Sequence, residues 1–144
     1  MVEDIIAKGN LGRFVSIRPN AVRLLKSKAA EREVSLHGVL EQLLDNTLPT
    51  SGRLFPYLTV DSVVKCYAKL RQRYPELHRT VFHSTRKWFI TQVERTGVPE
   101  HFTATLVGHH SARSANKLTY GLYSAGISDA QKWEIVEGVR APEH

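Results

Sequence analysis

The fold is decided in the middle of the chain by the stretch HSTRKWFITQVERTGVP, residues 83–99. Its pattern predicts a helix from Ser84 to about Thr96. Gly97 is a typical residue for ending a helix, and Val98-Pro99 opens another short helix toward Val107. Two consecutive helices are therefore expected in this part of the chain.

A longer helix is predicted upstream of this stretch, with Asp61 as its N-cap. Its two faces are formed by an apolar set, Val60, Val63, Val64, Tyr67 and Leu70, and by a basic set, Lys65, Lys69 and Arg73. A basic stripe of this kind either meets phosphates or is simply hydrated. Another helical pattern covers residues 37–44, and residues 46–56 are expected to form a loop.

The N-terminal part of the chain has the pattern of a small antiparallel sheet. Extended segments are predicted at Phe14–Ile17, Ala21–Leu25 and Val34–Leu36. At the other end, a last helix covers Ala130–Val139 after an N-cap at Ser128 or Asp129. The predicted fold class is α+β and mostly helical, with the sheet region in residues 1–37 and a helical bundle in residues 38–144.

The composition fits one domain that can bury a core of its own. The chain has 144 residues, of which 42% are hydrophobic and 24% are charged. No apolar run reaches the roughly 20 residues that cross a bilayer, so a cytoplasmic location without membrane contact is expected. The single cysteine, Cys66, excludes an internal disulfide and is expected to lie in the core.

The charge of the chain favours an anionic partner. The net charge is +6, and basic residues concentrate between Lys65 and Arg95, where only Glu76 and Glu94 oppose them. The tail from Asp129 onward is net acidic. The basic character therefore belongs to the middle of the chain.

One arginine in this region occupies an unusual position for a charged residue. In the helix that starts near Ser84, Arg86 shares a face with Phe89, Ile90 and Val93, and His83 lies three residues earlier. Burying an unpaired guanidinium costs several kcal/mol, roughly, so such a side chain needs a carboxylate partner or an anionic ligand. The residues alone leave both alternatives open.

Three short motifs follow one another in the second half of the chain. They are His83-Ser84-Thr85-Arg86, Leu106-Val107-Gly108-His109 and Thr119-Tyr120-Gly121-Leu122-Tyr123-Ser124. In this order they resemble the H-x-x-R, L-x-G-H and tyrosine signature of the tyrosine recombinases, the phage-integrase family. Tyr123 fits the family's tyrosine position better, and Tyr120 remains the alternative.

An upstream segment resembles the hairpin motif of the same family, K-T-x-x-S-x-R-x-V-P-L. Residues 25–36, LKSKAAEREVSL, match it more loosely, with Ser27, Ala30 and Ser35 at the positions of Thr, Ser and Pro. The resemblance identifies Lys26 as the hairpin lysine and leaves Lys28 as the alternative.

The resemblance implies DNA integration or recombination by strand cleavage and rejoining through a 3′-phosphotyrosine intermediate. Tyr123 would be the nucleophile, and Arg86, His83 and His109 would hold the scissile phosphate. Lys26 would protonate the leaving 5′ oxygen. No metal or other cofactor is implied, because arginines would supply the positive charge.

The resemblance also implies partners and a missing residue. The partners would be double-stranded DNA and further copies of the protein, contacted through the Ala130–Val139 helix. The family's first catalytic arginine has no match before Lys26, so the chain is expected to be a partial catalytic domain of a mobile-element recombinase, inactive alone. The alternatives are a non-catalytic DNA-binding remnant of a recombinase and a small helix-turn-helix regulator.

Overall fold

The computed structural model describes residues 1–20, 24–25, 28–45, 47–109 and 126–140. These residues form an α+β fold with a small antiparallel sheet near the N-terminus, as predicted. Helices account for about half of the described residues rather than for most of them. The structure therefore confirms the α+β fold class, but a smaller fraction of the described residues is helical than the sequence predicted.

The sheet has three strands in the order β1-β2-β3, and each neighbouring pair is antiparallel. The strands are β1 (Ile5–Ala7), β2 (Arg13–Ile17) and β3 (Arg32–Ser35). In the register, Phe14 opposes Ser35 and Val15 opposes Val34, so alternate residues of β2 face opposite sides. Phe14 is fully buried on one side, and Val34 packs against the main core on the other.

The strand expected at Ala21–Leu25 is not observed where the structure describes it. Residues 21–23 lie outside the described residues, and Leu24 and Leu25 belong to no strand. The edge position is taken instead by β1, whose three residues pair with the first half of β2. Strand β1 has too few residues to show an alternating pattern in the sequence, so its pairing with β2 decides its conformation.

The described part of the chain contains five α-helices after the sheet. They are α1 (Gly38–Asp45), α2 (Val60–Arg73), α3 (Ser84–Arg95), α4 (Glu100–Val107) and α5 (Asp129–Glu137). All five match predicted helices to within about two residues. The prediction of Asp61 as the cap of α2 was wrong, because Thr59 and Ser62 form a reciprocal capping box there. Ser128 caps α5 in the same way, as one of the two predicted caps.

The main core lies where α3, α4 and α5 meet β3. Its buried members are Val93, Leu106, Ile127, Ile135, Val136 and Val139. Both α4 and α5 contact β3, and α3 contacts α4. The C-terminal part of the chain therefore folds back onto the N-terminal sheet.

Helix α2 lies outside this core. Its apolar residues remain largely exposed, and Val60 is 82% exposed. Cys66 is exposed as well, so the prediction of a core cysteine was wrong. The reason is that a helical periodicity shows which residues share a face but not whether another element covers that face.

The turn between β1 and β2 is joined to α1 through Glu41. Gly12 has φ +74°, and a Cβ at this position would lie 2.6 Å from Oε1 of Glu41. The same oxygen accepts a hydrogen bond of 2.5 Å from the backbone N–H of Arg13. Arg13 also forms an ion pair of 2.5 Å with Asp45 at the end of α1. Glycine is favoured here because its backbone has φ +74° and ψ −147°, a conformation that other residues rarely adopt, and an added Cβ would also push the Glu41 carboxylate aside.

Charged side chains join the turn after β1 to β3 and α5. The Lys8 ammonium contacts Glu33 of β3 and Asp129, the first residue of α5. Asp129 in turn forms an ion pair of 2.8 Å with Lys132, one turn further along α5. We call these four residues the Lys8 network.

No helix among the described residues is long and apolar enough to span a membrane.

Candidate functional site

The H-x-x-R motif places Arg86 in the first turn of α3, on the face that packs against the core. Phe89 and Val93, which share this face, contact or belong to the core. The half-buried Arg86 side chain reaches across to α4, where its Nη2 donates a hydrogen bond to the carbonyl oxygen of Val107. The predicted orientation of Arg86 toward the interior is confirmed.

A second arginine reaches the same end of α4 from the sheet. Arg32 of β3 donates from Nε to the carbonyl oxygen of Leu106 at 2.9 Å and from Nη1 to that of Ala30 at 2.7 Å. Two guanidinium groups thus bind the carbonyl oxygens of consecutive residues, Leu106 and Val107. These oxygens lie at the C-terminal end of α4, which carries a partial negative charge.

The two guanidinium groups are close enough to repel each other. Burial lowers the pKa of Arg32 below its ordinary value, and the neighbouring charge of Arg86 lowers it further. Among the described residues, no Asp or Glu forms an ion pair with either arginine; the ion pairs there belong to Met1, Lys8, Arg13, Arg18 and Lys132. The carboxylate partner that the sequence left open for Arg86 is therefore absent from this part of the chain.

The L-x-G-H motif forms the C-terminus of α4. Gly108 has φ +67° and ends the helix in the left-handed conformation, for which glycine is strongly favoured. This turn lets the backbone N–H of His109 donate to the carbonyl oxygen of Ala104 at 2.9 Å. The exposed His109 side chain lines a cavity of about 140 Å³ together with Ile90, Glu94, Glu100, Thr103, Ala104 and Val107. His109 thus follows by three and two residues Leu106 and Val107, whose carbonyl groups bind the two arginines.

His83 occupies the N-cap position of α3, where its side chain is exposed and makes no capping hydrogen bond. Its carbonyl oxygen accepts from the backbone N–H of Arg86 at 3.1 Å. The two residues of the motif therefore lie one helical turn apart at the start of α3. The structure brings Arg86 to the chain segment that carries His109, and it places His83 on the same helix as Arg86.

Other predicted site residues lie outside the described residues. These are the hairpin lysine Lys26, the nucleophile Tyr123 and its alternative Tyr120. The alternative lysine, Lys28, is exposed at the start of a short 3₁₀ turn, Lys28–Ala30. That turn ends at Ala30, whose carbonyl oxygen binds Arg32.

Arg32 was not predicted from the sequence as a site residue. It stands at the arginine position of the hairpin motif, and that match was the available signal. No periodicity could have shown that β3 approaches the end of α4, because 74 positions separate Arg32 from Leu106.

A basic surface lies apart from the arginine pair. Lys65, Lys69 and Arg73 on α2 are all exposed. In the last turn of α2, Arg71 donates to the carbonyl oxygen of His78 at 2.8 Å, which ties the helix to the following turn. This surface can meet an extended anion, whereas the arginine pair can hold a single anionic group.

No protein-family model matches the chain, and neither a curated protein nor a solved structure is significantly similar to it.

Proposed function

We propose that this chain is the C-terminal part of the catalytic domain of a tyrosine recombinase, which cleaves and rejoins DNA. The observation that carries the proposal is Arg86, a half-buried arginine without a carboxylate partner among the described residues, held against the end of α4. An anionic ligand accounts for a buried guanidinium when an acidic partner does not. The order of the motifs that contain Arg86, His109 and Tyr123 favours the scissile phosphate of DNA as this anionic ligand.

In the proposed reaction, the phenolic oxygen of Tyr123 attacks the phosphorus of a DNA phosphodiester. A phosphotyrosine bond to the 3′ strand forms as the bond to the 5′ oxygen breaks, and Lys26 gives that leaving oxygen its proton. His83 assists the removal of the phenolic proton. The guanidinium of Arg86, with His109, donates hydrogen bonds to the non-bridging oxygens, which gain charge in the transition state. Rejoining is the reverse reaction with a different 5′ hydroxyl group.

The test is covalent trapping of the full-length gene product on nicked suicide DNA substrates. We expect an adduct that disappears in Tyr123→Phe and Arg86→Gln and persists in Arg95→Gln, a control at an exposed arginine of the same helix. An adduct lost only in Tyr120→Phe would reassign the nucleophile while retaining the reaction. The absence of any adduct with the wild-type protein would contradict the proposal.

The exposed basic face of α2 favours a second candidate, a protein that binds DNA without cutting it. Phosphate contacts by lysine and arginine provide affinity without sequence readout, and they need no nucleophile. Salt-dependent binding by wild-type protein that never forms a covalent adduct would support this candidate over the first.

We further propose that α5 contacts a second copy of the protein on DNA. Trp133 is partly exposed on α5, whereas Ile135 and Val136 of the same helix are buried in the core. A large aromatic side chain on an accessible helix is a common anchor of protein interfaces. Sedimentation of the protein on DNA should show multimers that Trp133→Ala reduces to monomers; unchanged multimers would contradict this role.

A further inference from the structure

We propose that Arg32 is a second anion-binding arginine, which completes with Arg86 a two-guanidinium site for a phosphodiester group at the C-terminal end of α4. The inference rests on the proposed function for its choice of ligand. It needs only the binding of an oxyanion, however, and no strand cleavage.

Arg32 is held in place and still has unused hydrogen-bond donors. Its Nε and Nη1 atoms bind carbonyl oxygens from two different segments, Leu106 of α4 and Ala30 of the turn before β3. A guanidinium has five N–H donors, so both hydrogens on Nη2 and one on Nη1 remain for a ligand. A guanidinium fixed in this way loses little conformational entropy when it binds an oxyanion.

The two arginines bring an excess of positive charge to the end of α4. The end of α4 supplies about half a negative charge, whereas Arg32 and Arg86 together bring two full positive charges to it. Burial and the charge of Arg86 both lower the pKa of Arg32. A bound anion removes this repulsion, and a phosphate group has oxygens enough to accept from both side chains.

No acidic side chain competes for the two arginines among the residues that the structure describes. Three of the described carboxylates near the sheet are engaged elsewhere: Glu33 with Lys8, Asp129 with Lys8 and Lys132, and Glu41 with the backbone of Arg13. None of these groups forms an ion pair with Arg32 or Arg86. The pair is therefore available to an external anion within the described part of the chain.

A purely structural role, in which Arg32 only ties β3 to α4, makes a different prediction. In that case the loss of Arg32 lowers stability but leaves the affinity of Arg86 for anions unchanged. The experiment must therefore measure binding at each arginine rather than activity or stability alone.

The test is a titration of the 144-residue chain with inorganic phosphate, followed by the arginine Nε–H signals in NMR spectra. We expect the Arg32 and Arg86 signals to shift together and saturably, and those of the exposed Arg95 to change little. Arg32→Gln should weaken the response of Arg86 by about tenfold or more, because a charge-assisted donor is lost. Arg32→Lys should restore it only in part, since lysine keeps the charge but not the fork.

Three outcomes would overturn the inference: no saturable shift of the Arg32 signal in the wild-type chain, an unchanged affinity at Arg86 in folded Arg32→Gln, or an equal response in Arg95→Gln and Arg32→Gln. The wild-type titration decides the question even if Arg32→Gln does not fold. Phosphate binding at both arginines without a covalent DNA adduct would retain this inference and reject cleavage. A covalent DNA adduct without phosphate binding at Arg32 would reject this inference and retain cleavage.

Discussion

Lys8, at the end of the first strand, places its ammonium nitrogen 2.5 Å from the Oδ2 atom of Asp129, the first residue of α5. The two residues are separated by 121 positions in the sequence. Their contact fixes the start of the last helix against the turn that follows β1.

Removing the carboxylate of this contact should destabilise the fold moderately. Asp129→Asn leaves Lys8 with Glu33 alone and takes a negative charge from the N-terminus of α5, so we expect a loss of about 1 kcal/mol in the free energy of unfolding. Urea denaturation measures this value. Asp61→Asn is the matched control, since Asp61 is an exposed carboxylate in the first turn of α2. Equal losses in both variants would show that only the helix dipole matters.

The same contact should make stability depend on pH at the acid end. Hydrogen bonds from Lys132 and Lys8 lower the pKa of Asp129 below its ordinary value of 3.8. A carboxylate with a lowered folded-state pKa stabilises the fold above its unfolded-state pKa and loses this contribution as the pH falls through the folded-state value. The stability difference between wild type and Asp129→Asn should therefore be constant near neutral pH and shrink below about pH 4. A difference that stays constant to pH 2 would contradict this assignment.

The contribution of Lys8 to stability has the opposite pH dependence and changes at alkaline pH. Hydrogen bonds to Asp129 and Glu33 raise its pKa above the ordinary value of 10.5. This contribution is complete below the unfolded-state pKa and is lost as the pH rises through the raised folded-state value. Lys8→Met should therefore lie below wild type in stability at neutral pH and approach it above about pH 11.

A pair of valine substitutions separates the core from the apolar surface of α2. Val93 is fully buried, whereas Val60 is 82% exposed. Val93→Ala should cost about 2 kcal/mol through lost burial and the cavity that remains. The same atoms removed in Val60→Ala should cost less than about 0.5 kcal/mol. Similar losses at both positions would mean that α2 is covered in solution.

Two glycines test the close approach of Glu41 to the β1–β2 turn. Gly12 and Gly52 both have positive φ, at +74° and +84°, but only Gly12 has an atom within 4 Å of an added Cβ. We expect Gly12→Ala to destabilise the fold by about 2 kcal/mol or more and Gly52→Ala by about 1 kcal/mol. Thermal unfolding of both variants gives the difference. In Gly12→Ala/Glu41→Ala only the part of the loss that comes from the contact with Glu41 should disappear, and an unchanged loss would place all of the strain in the backbone, where Gly12 has φ +74° and ψ −147°.

DNA binding by this chain should depend steeply on salt and on the face of α2. Lys65→Gln should weaken the binding of a duplex and lower the slope of log affinity against log salt by roughly one, as expected for the loss of one phosphate contact. Arg140→Gln removes the same charge at an exposed position near the end of the described chain and serves as the control. Fluorescence anisotropy at several salt concentrations measures both. Equal slopes would indicate that only the net charge matters.

The sequence predicted the helices well because their signals are local. Gly97 and Ser128 act on the turns next to them, and the apolar spacing that includes Val93 needs only one turn of helix to be recognised. Strand β1 was missed because three residues carry no periodicity and acquire their conformation from β2.

The candidate site was predictable only in part, for the same physical reason. The position of Arg86 on the inward face followed from helical spacing, but the meeting of Arg32 with the end of α4 depends on tertiary contacts far apart in the sequence. Neither a sequence motif nor the apolar periodicity of a helix could show that no described carboxylate forms an ion pair with these arginines. The exposure of α2 escaped prediction because it depends on what packs against the helix.

The exposed Cys66 gives the chain one chemically addressable position. It is the single cysteine of the sequence, so a maleimide dye attaches at one known point without further mutation. That point directly follows Lys65 on α2, beside the basic face. A dye there would test whether a nucleic acid binds at α2, while the arginine NMR signals test whether phosphate binds at the end of α4, so the two proposed binding events can be followed separately in one preparation.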